Sequence, residues 1–186
     1  MVLFQNAAPI SYKLRRQFEN RWVRFHSLPE SKRYPDGEEE MEIVLHRHNA
    51  VLESLAAEGC DVALVTTHYS NSSPLEEIAP VSEPAPDAIR WRSVAMHKLP
   101  DADKFMGEHF MHLFVKWSKW MRGVFDPTIR LTANDVIRNV LLIDSQGAWC
   151  VSPYDGGMDC FLRTSSARDA LRIQYADWLS PHPKGL

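Results

Sequence analysis

The chain has 186 residues, 45% of them hydrophobic and 24% charged, with a net charge of -3. That length buries a continuous core without staples, and the excess of acids excludes a globally basic coat for nucleic acid. Three cysteines, Cys60, Cys150 and Cys160, lack C-x-x-C spacing, and an odd number in a chain of this size is no disulfide framework. The opening Met-Val-Leu-Phe-Gln-Asn lacks the basic and long apolar regions of a signal peptide. No apolar run approaches the ~18 residues of a membrane helix. The expectation is a cytoplasmic protein that forms a single domain over residues 1–186. Charge is unevenly placed: residues 13–34 hold seven Lys or Arg against Glu19 and Glu30, and residues 36–58 hold seven acids against Arg47 alone. This is either a basic patch for an anion or two solvated faces that partly pair.

Residues 10–21 read as a short basic helix with Leu14 and Phe18 on one side. Trp22 to His26 alternates, which puts Trp22, Arg24 and His26 on one face of a strand and Val23 and Phe25 on the other. Pro29 ends it. Asp36 is placed to cap the N–H of Glu39, with Glu39 reaching back, ahead of a helix whose inner series is Met41, Val44, Leu45, His48, Val51, Leu52 and Leu55. Gly59 supplies its stop. Asp61 to Tyr69 is apolar on both faces, as in an interior strand.

Residues 70–88 carry four prolines, four acids and no base, and read as a long surface loop. Ile89 to Lys98 is strand-like. Phe110, Leu113, Phe114, Trp117 and Trp120 fit a helical stripe, although His112 to Trp120 also alternates. Asp126-Pro127 opens a short helix with Ile129, Ala133 and Val136 inward. Asn139 to Asp144 and Ala148 to Val151 are strands around a Ser145-Gln146-Gly147 turn. Asp155-Gly156-Gly157 turns the chain into the strand Met158 to Leu162. A last helix begins near Ser165 or Ser166, with Asp169 completing a Ser-x-x-Asp cap and Leu171, Tyr175 and Trp178 docking it. This order predicts an α+β fold, with a mostly antiparallel sheet of five to six strands and three to four helices.

Arg24 to Tyr34 concentrates hydroxyls, an imidazole, cations and a phenol in eleven positions. Arg24 and His26 stand about 7 Å apart on one strand face. Ser27, Ser31, Lys32, Arg33 and Tyr34 follow in a loop stiffened by Pro29. Arginine forks and hydroxyls suit a phosphate or carboxylate. The plainer alternative is a turn with solvated cations and an Arg24 paired across the sheet. A second group, Tyr154, Asp155 and Asp159 around Gly156-Gly157, could hold a cation or orient a water. Its plainer alternative is a hairpin in which Asp155 caps the turn and the glycines supply positive φ.

The histidines do not suggest a metal. His46 and His48 splay apart on a helix, and His109 and His112 lack a third ligand. The nucleophile elbow G-x-S-x-G is missing, as are the nucleotide-binding G-x-x-x-x-G-K-[ST] and G-x-G-x-x-G, and no cofactor is expected. Trp91, Trp117 and Trp120 could stack bases, but with this charge they read as core or partner-facing aromatics.

The stretches Trp22 to Tyr34 and Pro153-Tyr-Asp-Gly-Gly-Met-Asp159 resemble a family of small bacterial proteins without an assigned activity. The end, from Arg168-Asp169 to Tyr175-Ala-Asp-Trp-Leu-Ser180 and Leu186, is similar to the bacterial domain of unknown function 3885. The resemblance implies that His112 to Trp120 is extended. It also implies a small apolar residue in relatives where Cys160 stands, which argues against a nucleophilic role for that thiol.

Two readings follow. One is a non-catalytic binding protein, antitoxin- or immunity-like, masking a protein partner. The other is a small hydrolase or transferase acting on an anionic metabolite. There Arg24, Lys32 and Arg33 would bind the anion, His26 would be acid or base, and Asp155 or Asp159 would orient it. The first is preferred because no catalytic set is complete. Neither involves a membrane or direct contact with nucleic acid, and the sequence sets no oligomeric state.

Overall fold

The computed structural model describes residues 9–71, 84–99 and 109–180. Its strands are β1 (Trp22–His26), β2 (Asp61–Ser70), β3 (Ile89–Ala95), β4 (Phe110–Lys119), β5 (Leu141–Asp144), β6 (Trp149–Tyr154) and β7 (Gly157–Leu162). They form one sheet in the order β1-β7-β6-β5-β2-β4-β3, antiparallel at every pairing. Four α-helices lie among the described residues: α1 (Ser11–Gln17), α2 (Glu38–Leu55), α3 (Asp126–Ala133) and α4 (Ser165–Gln174). The class is α+β, as predicted, but the sheet has seven strands rather than five or six. Every strand-like segment is recruited, the ambiguous 110–119 included.

The sheet is buried on both faces, which is why its central strands read as continuous apolar runs. Val62, Leu64, Phe114, Leu142, Val151, Met158 and Cys160 pack with Val44, Leu52, Ile129 and Leu171 of α2, α3 and α4. On the opposite face Val65, Leu113, Leu141, Cys150 and Phe161 meet Ile10, Leu14 and Phe18 at α1.

Several boundaries differ from expectation for local reasons. The first helix stops at Gln17 and continues as a 3-10 turn, Glu19–Arg21. No side chain caps α2: its N-cap is Gly37 at φ 83, and Glu40 rather than Glu39 reaches back to accept from the Asp36 N–H. The helix ends at Leu55, before Gly59. Val136 lies beyond α3 and is exposed. The cap of α4 is Thr164, whose Oγ1 accepts from the Ala167 N–H, while Asp169 pairs with Arg168 instead. Most of the proline-rich loop, residues 72–83, lies outside the described residues.

Candidate functional site

Trp22, Arg24 and Asp159 form the centre of the first cluster, where edge strand β1 meets β7. Arg24 and Asp159 are direct partners in the register. The Arg24 guanidinium donates Nε to Asp159 Oδ1 at 2.7 Å and Nη2 to Oδ2 at 2.9 Å, a two-bond fork. Trp22 Nε1–H donates to the same Oδ1 at 2.8 Å. Arg24 also lies over the Tyr154 ring, 4.6 Å from its centroid. Burial works against the Arg24 cation, but the hydrogen bonds and charge of Asp159 outweigh it and the pKa is raised. Burial likewise raises the pKa of the Tyr154 phenol, so it stays neutral.

The second cluster sits at the β6–β7 turn. Arg33 Nε approaches Asp155 Oδ2 at 2.6 Å, and Tyr34 Oη donates to the same oxygen at 3.0 Å. Lys32 pairs with Glu40 at 2.6 Å. The motifs that the sequence separates by some 120 residues therefore come together, and their opposite charges neutralise one another. The turn glycines do not supply positive φ, contrary to expectation. Gly157 is needed for space instead: a Cβ there would lie 2.1 Å from the backbone oxygen of Phe25.

His26 lies opposite Gly157 in the register, and among the described residues neither it nor Ser27 bonds to those carboxylates. The Ser27 N–H donates to Gly156 O at 3.1 Å, and its hydroxyl is buried without a partner. His26 Nε2 is also buried, with no partner among the described residues. Burial lowers the His26 pKa and the guanidinium of Arg24 lowers it further; a backbone contact with Gly156 opposes them and Arg47 adds to the lowering. Both side-chain charges acting on this ring are cations, so the environment favours neutral imidazole.

Ser31 lies in a 3-10 turn, Pro29–Ser31, where Glu30 and Ser31 adopt φ 55 and 59. This left-handed backbone is unusual for residues with side chains. Beside it is a pocket of about 150 Å³ lined by His26, Leu28, Glu30, Ser31, Arg47 and Trp178, among others. The sequence marks Arg47 only as a lone base among acids. It donates Nη1 to His26 O at 2.9 Å and stacks on Trp178, 5.2 Å from the ring centroid.

On the second sheet face lies a groove of about 220 Å³, walled by Ala63, Val65, Trp91, Val115, Trp117 and Ile143. Trp91 is 40% exposed, Trp117 53% and the nearby Ile89 66%. Among the described residues no three His, Cys, Asp or Glu side chains gather to hold a metal ion. His112 is fully buried, bonded to Ser93 Oγ and Ser70 Oγ, and His109 bonds Asn71. Burial keeps the Cys150 and Cys160 thiols protonated, their pKa values raised. No described helix is long and apolar enough to cross a membrane.

No curated protein and no solved structure gives a significant match. The family model of DUF3885, a domain of unknown function, matches residues 10–183, so the likeness seen at the C-terminus extends over nearly the whole chain. With the β1–β7 clamp, the β6–β7 turn and α4 all inside that span, the chain belongs to the DUF3885 family.

Proposed function

We propose that this protein is a non-catalytic binding protein that seats a protein partner on the open tryptophan groove of β2, β3, β4 and β5. The carrying observation is that groove, with Trp91 and Trp117 half exposed at its wall. Large apolar residues left bare on a sheet face mark interaction surfaces, and tryptophan is among the commonest anchors of binding energy. Arg92, opposite Leu113 in the register, is exposed on the same face. The complement is an apolar side chain flanked by carboxylates. The edge of β3 is guarded by Arg90, Arg92 and an irregular register at Trp91, so the partner meets the face rather than adding a strand. An antitoxin- or immunity-like role, in which this contact masks a partner's active site, is the finer form of the same reading.

The enzyme reading has less support. Its anion cradle of Arg24, Lys32 and Arg33 is filled by Asp159, Glu40 and Asp155 of the chain itself. Among the described residues no carboxylate bonds to His26 Nε2, and the side-chain charges acting on the ring are those of two arginines.

The test is a photo-crosslinking residue placed at position 117 or 91 in the source cell, with position 172 on α4 as control. One protein captured from both groove positions and not from the control, whose purified form binds wild type and weakens at least about tenfold with Trp117→Ser, is the expected result. Equal capture from all three positions overturns it.

A further inference from the structure

The groove is not the only concavity with unsatisfied chemistry. The pocket where β1 leaves the sheet, between α2 and the turn after α4, contains groups that the chain does not use among themselves. Arg24, Arg33, Arg130 and Arg138 each hold a carboxylate of the protein. Arg47 holds none among the described residues. Among the described residues its one hydrogen bond goes to His26 O, and a guanidinium has five N–H donors. It lies over the Trp178 ring, and its remaining donors suit a planar acceptor such as a carboxylate.

The opposite charge is at the rim. Glu30 and Asp177 both line this pocket and both are exposed, without an ion pair among the described residues. Two carboxylates there oppose a simple anion such as phosphate, while Arg47 opposes a simple cation. A molecule that carries both charges suits both. Leu28 and Trp178 supply apolar wall, and His26 Nε2 is a buried ring nitrogen with no partner among the described residues. The volume, about 150 Å³, lies below the ~300–1,000 Å³ of drug-sized sites and suits a small ligand. The left-handed backbone at Glu30 and Ser31 shapes this wall at a conformational cost that only the surrounding structure sustains.

We propose that this pocket binds a small zwitterion of the free α-amino-acid class, its carboxylate on Arg47 and its ammonium against the Glu30 and Asp177 rim. The groove for a protein partner lies on the sheet face of β2 to β5 and shares no lining residue with it, so this site is separate.

The experiment is an NMR titration of the full chain with L-alanine, following the indole N–H of Trp178, assigned through Trp178→Phe. Acetate and methylammonium serve as the two half-molecules. The expected result is a saturable shift with alanine, at least about tenfold weaker with either half. Arg47→Gln weakens alanine binding by at least about tenfold, and Asp177→Asn by at least about threefold. Arg47 also holds the end of β1, so its variant could lose the fold. Asp177 is exposed, and its variant carries the decision alone in that case. Acetate binding as well as alanine, an unchanged affinity in Asp177→Asn, or no shift at millimolar alanine each overturns the proposal.

Discussion

Gly157 lies so close to the backbone of Phe25 that any β-carbon would sit 2.1 Å from its carbonyl oxygen. The two residues face each other across the junction of β1 and β7, where His26 pairs with Gly157 and Phe25 with Met158. Because the obstacle is backbone, it cannot rotate away. Gly157→Ala therefore has to part the strands, and we expect a loss of at least about 2 kcal/mol. Gly156→Ala meets only the Tyr154 ring at 3.1 Å and the Arg33 stem at 3.5 Å, side chains that can yield. Its cost should be about half as large, and urea midpoints of the two variants check the order.

Removal of Asp159 should be among the most damaging changes. It leaves the Arg24 guanidinium and the Trp22 N–H without their acceptor in a site where the carboxylate was 7% exposed. Breaking such a pair from one side costs about 3–5 kcal/mol when buried, and the partial exposure of Arg24 places the expectation near the lower end. Arg24→Ala should cost less than Asp159→Ala, and the double variant less than their sum. Additive losses in a double-mutant cycle would show that the fork contributes no coupling.

Stability should fall on mild acidification. Burial lowers the pKa of His26, His48 and His112, with Arg90 adding to the effect at His112 and the carbonyl of Val44 opposing it at His48. The unfolded chain takes up these protons near pH 6.5, the folded chain only at lower pH. Between those limits the unfolded state binds more protons, so stability rises with pH there. It is fully present above about pH 6.5 and declines below it. Unfolding midpoints at pH 7.5 and 5.5 should differ in that direction, by a smaller margin in His112→Asn. An identical margin would remove His112 from the account.

The tryptophans of the groove should prove dispensable for folding. Trp117→Ser changes a half-exposed residue at the end of β4 and should shift stability by about 0.5 kcal/mol or less, while lowering binding of a hydrophobic dye. A loss of several kcal/mol would reassign Trp117 to the core.

At α4, Thr164→Ala should cost about 1 kcal/mol because its hydroxyl accepts from the Ala167 N–H. Asp169→Ala should cost less, since its carboxylate only pairs with Arg168 at the surface. Thermal melts of the pair distinguish the two residues as caps.

Elements with one buried face were legible from the sequence. The inner series Met41, Val44, Leu45, His48, Val51 and Leu52 is buried as its spacing predicted, with Leu55 at the helix end only partly so, and β1 occupies the residues assigned to it. Periodicity failed at β4 because Phe110 to Phe114 is buried on both faces, which erases alternation and leaves a stripe that a helix could also produce. Resemblance, not pattern, supplied the strand. At the site, residue types allowed either an open anion pocket or an Arg24 paired across the sheet, and the fork to Asp159 is the second. Two features had no local signal at all. Gly157 is demanded by a backbone atom of β1, and Arg47 gains its meaning from Trp178, far along the chain.

The position of β1 has a consequence for how the chain acquires its form. β1 comes early in the sequence, yet within the sheet it pairs with β7, and its outer edge touches Leu179 through a single bridge. A ribosome releases Trp22 to His26 long before their partners exist. That segment must wait, with Val23 and Phe25 exposed, until the β6–β7 hairpin has formed. Its late docking makes the junction the natural place for the folded molecule to open first and for a nascent one to be captured by a chaperone.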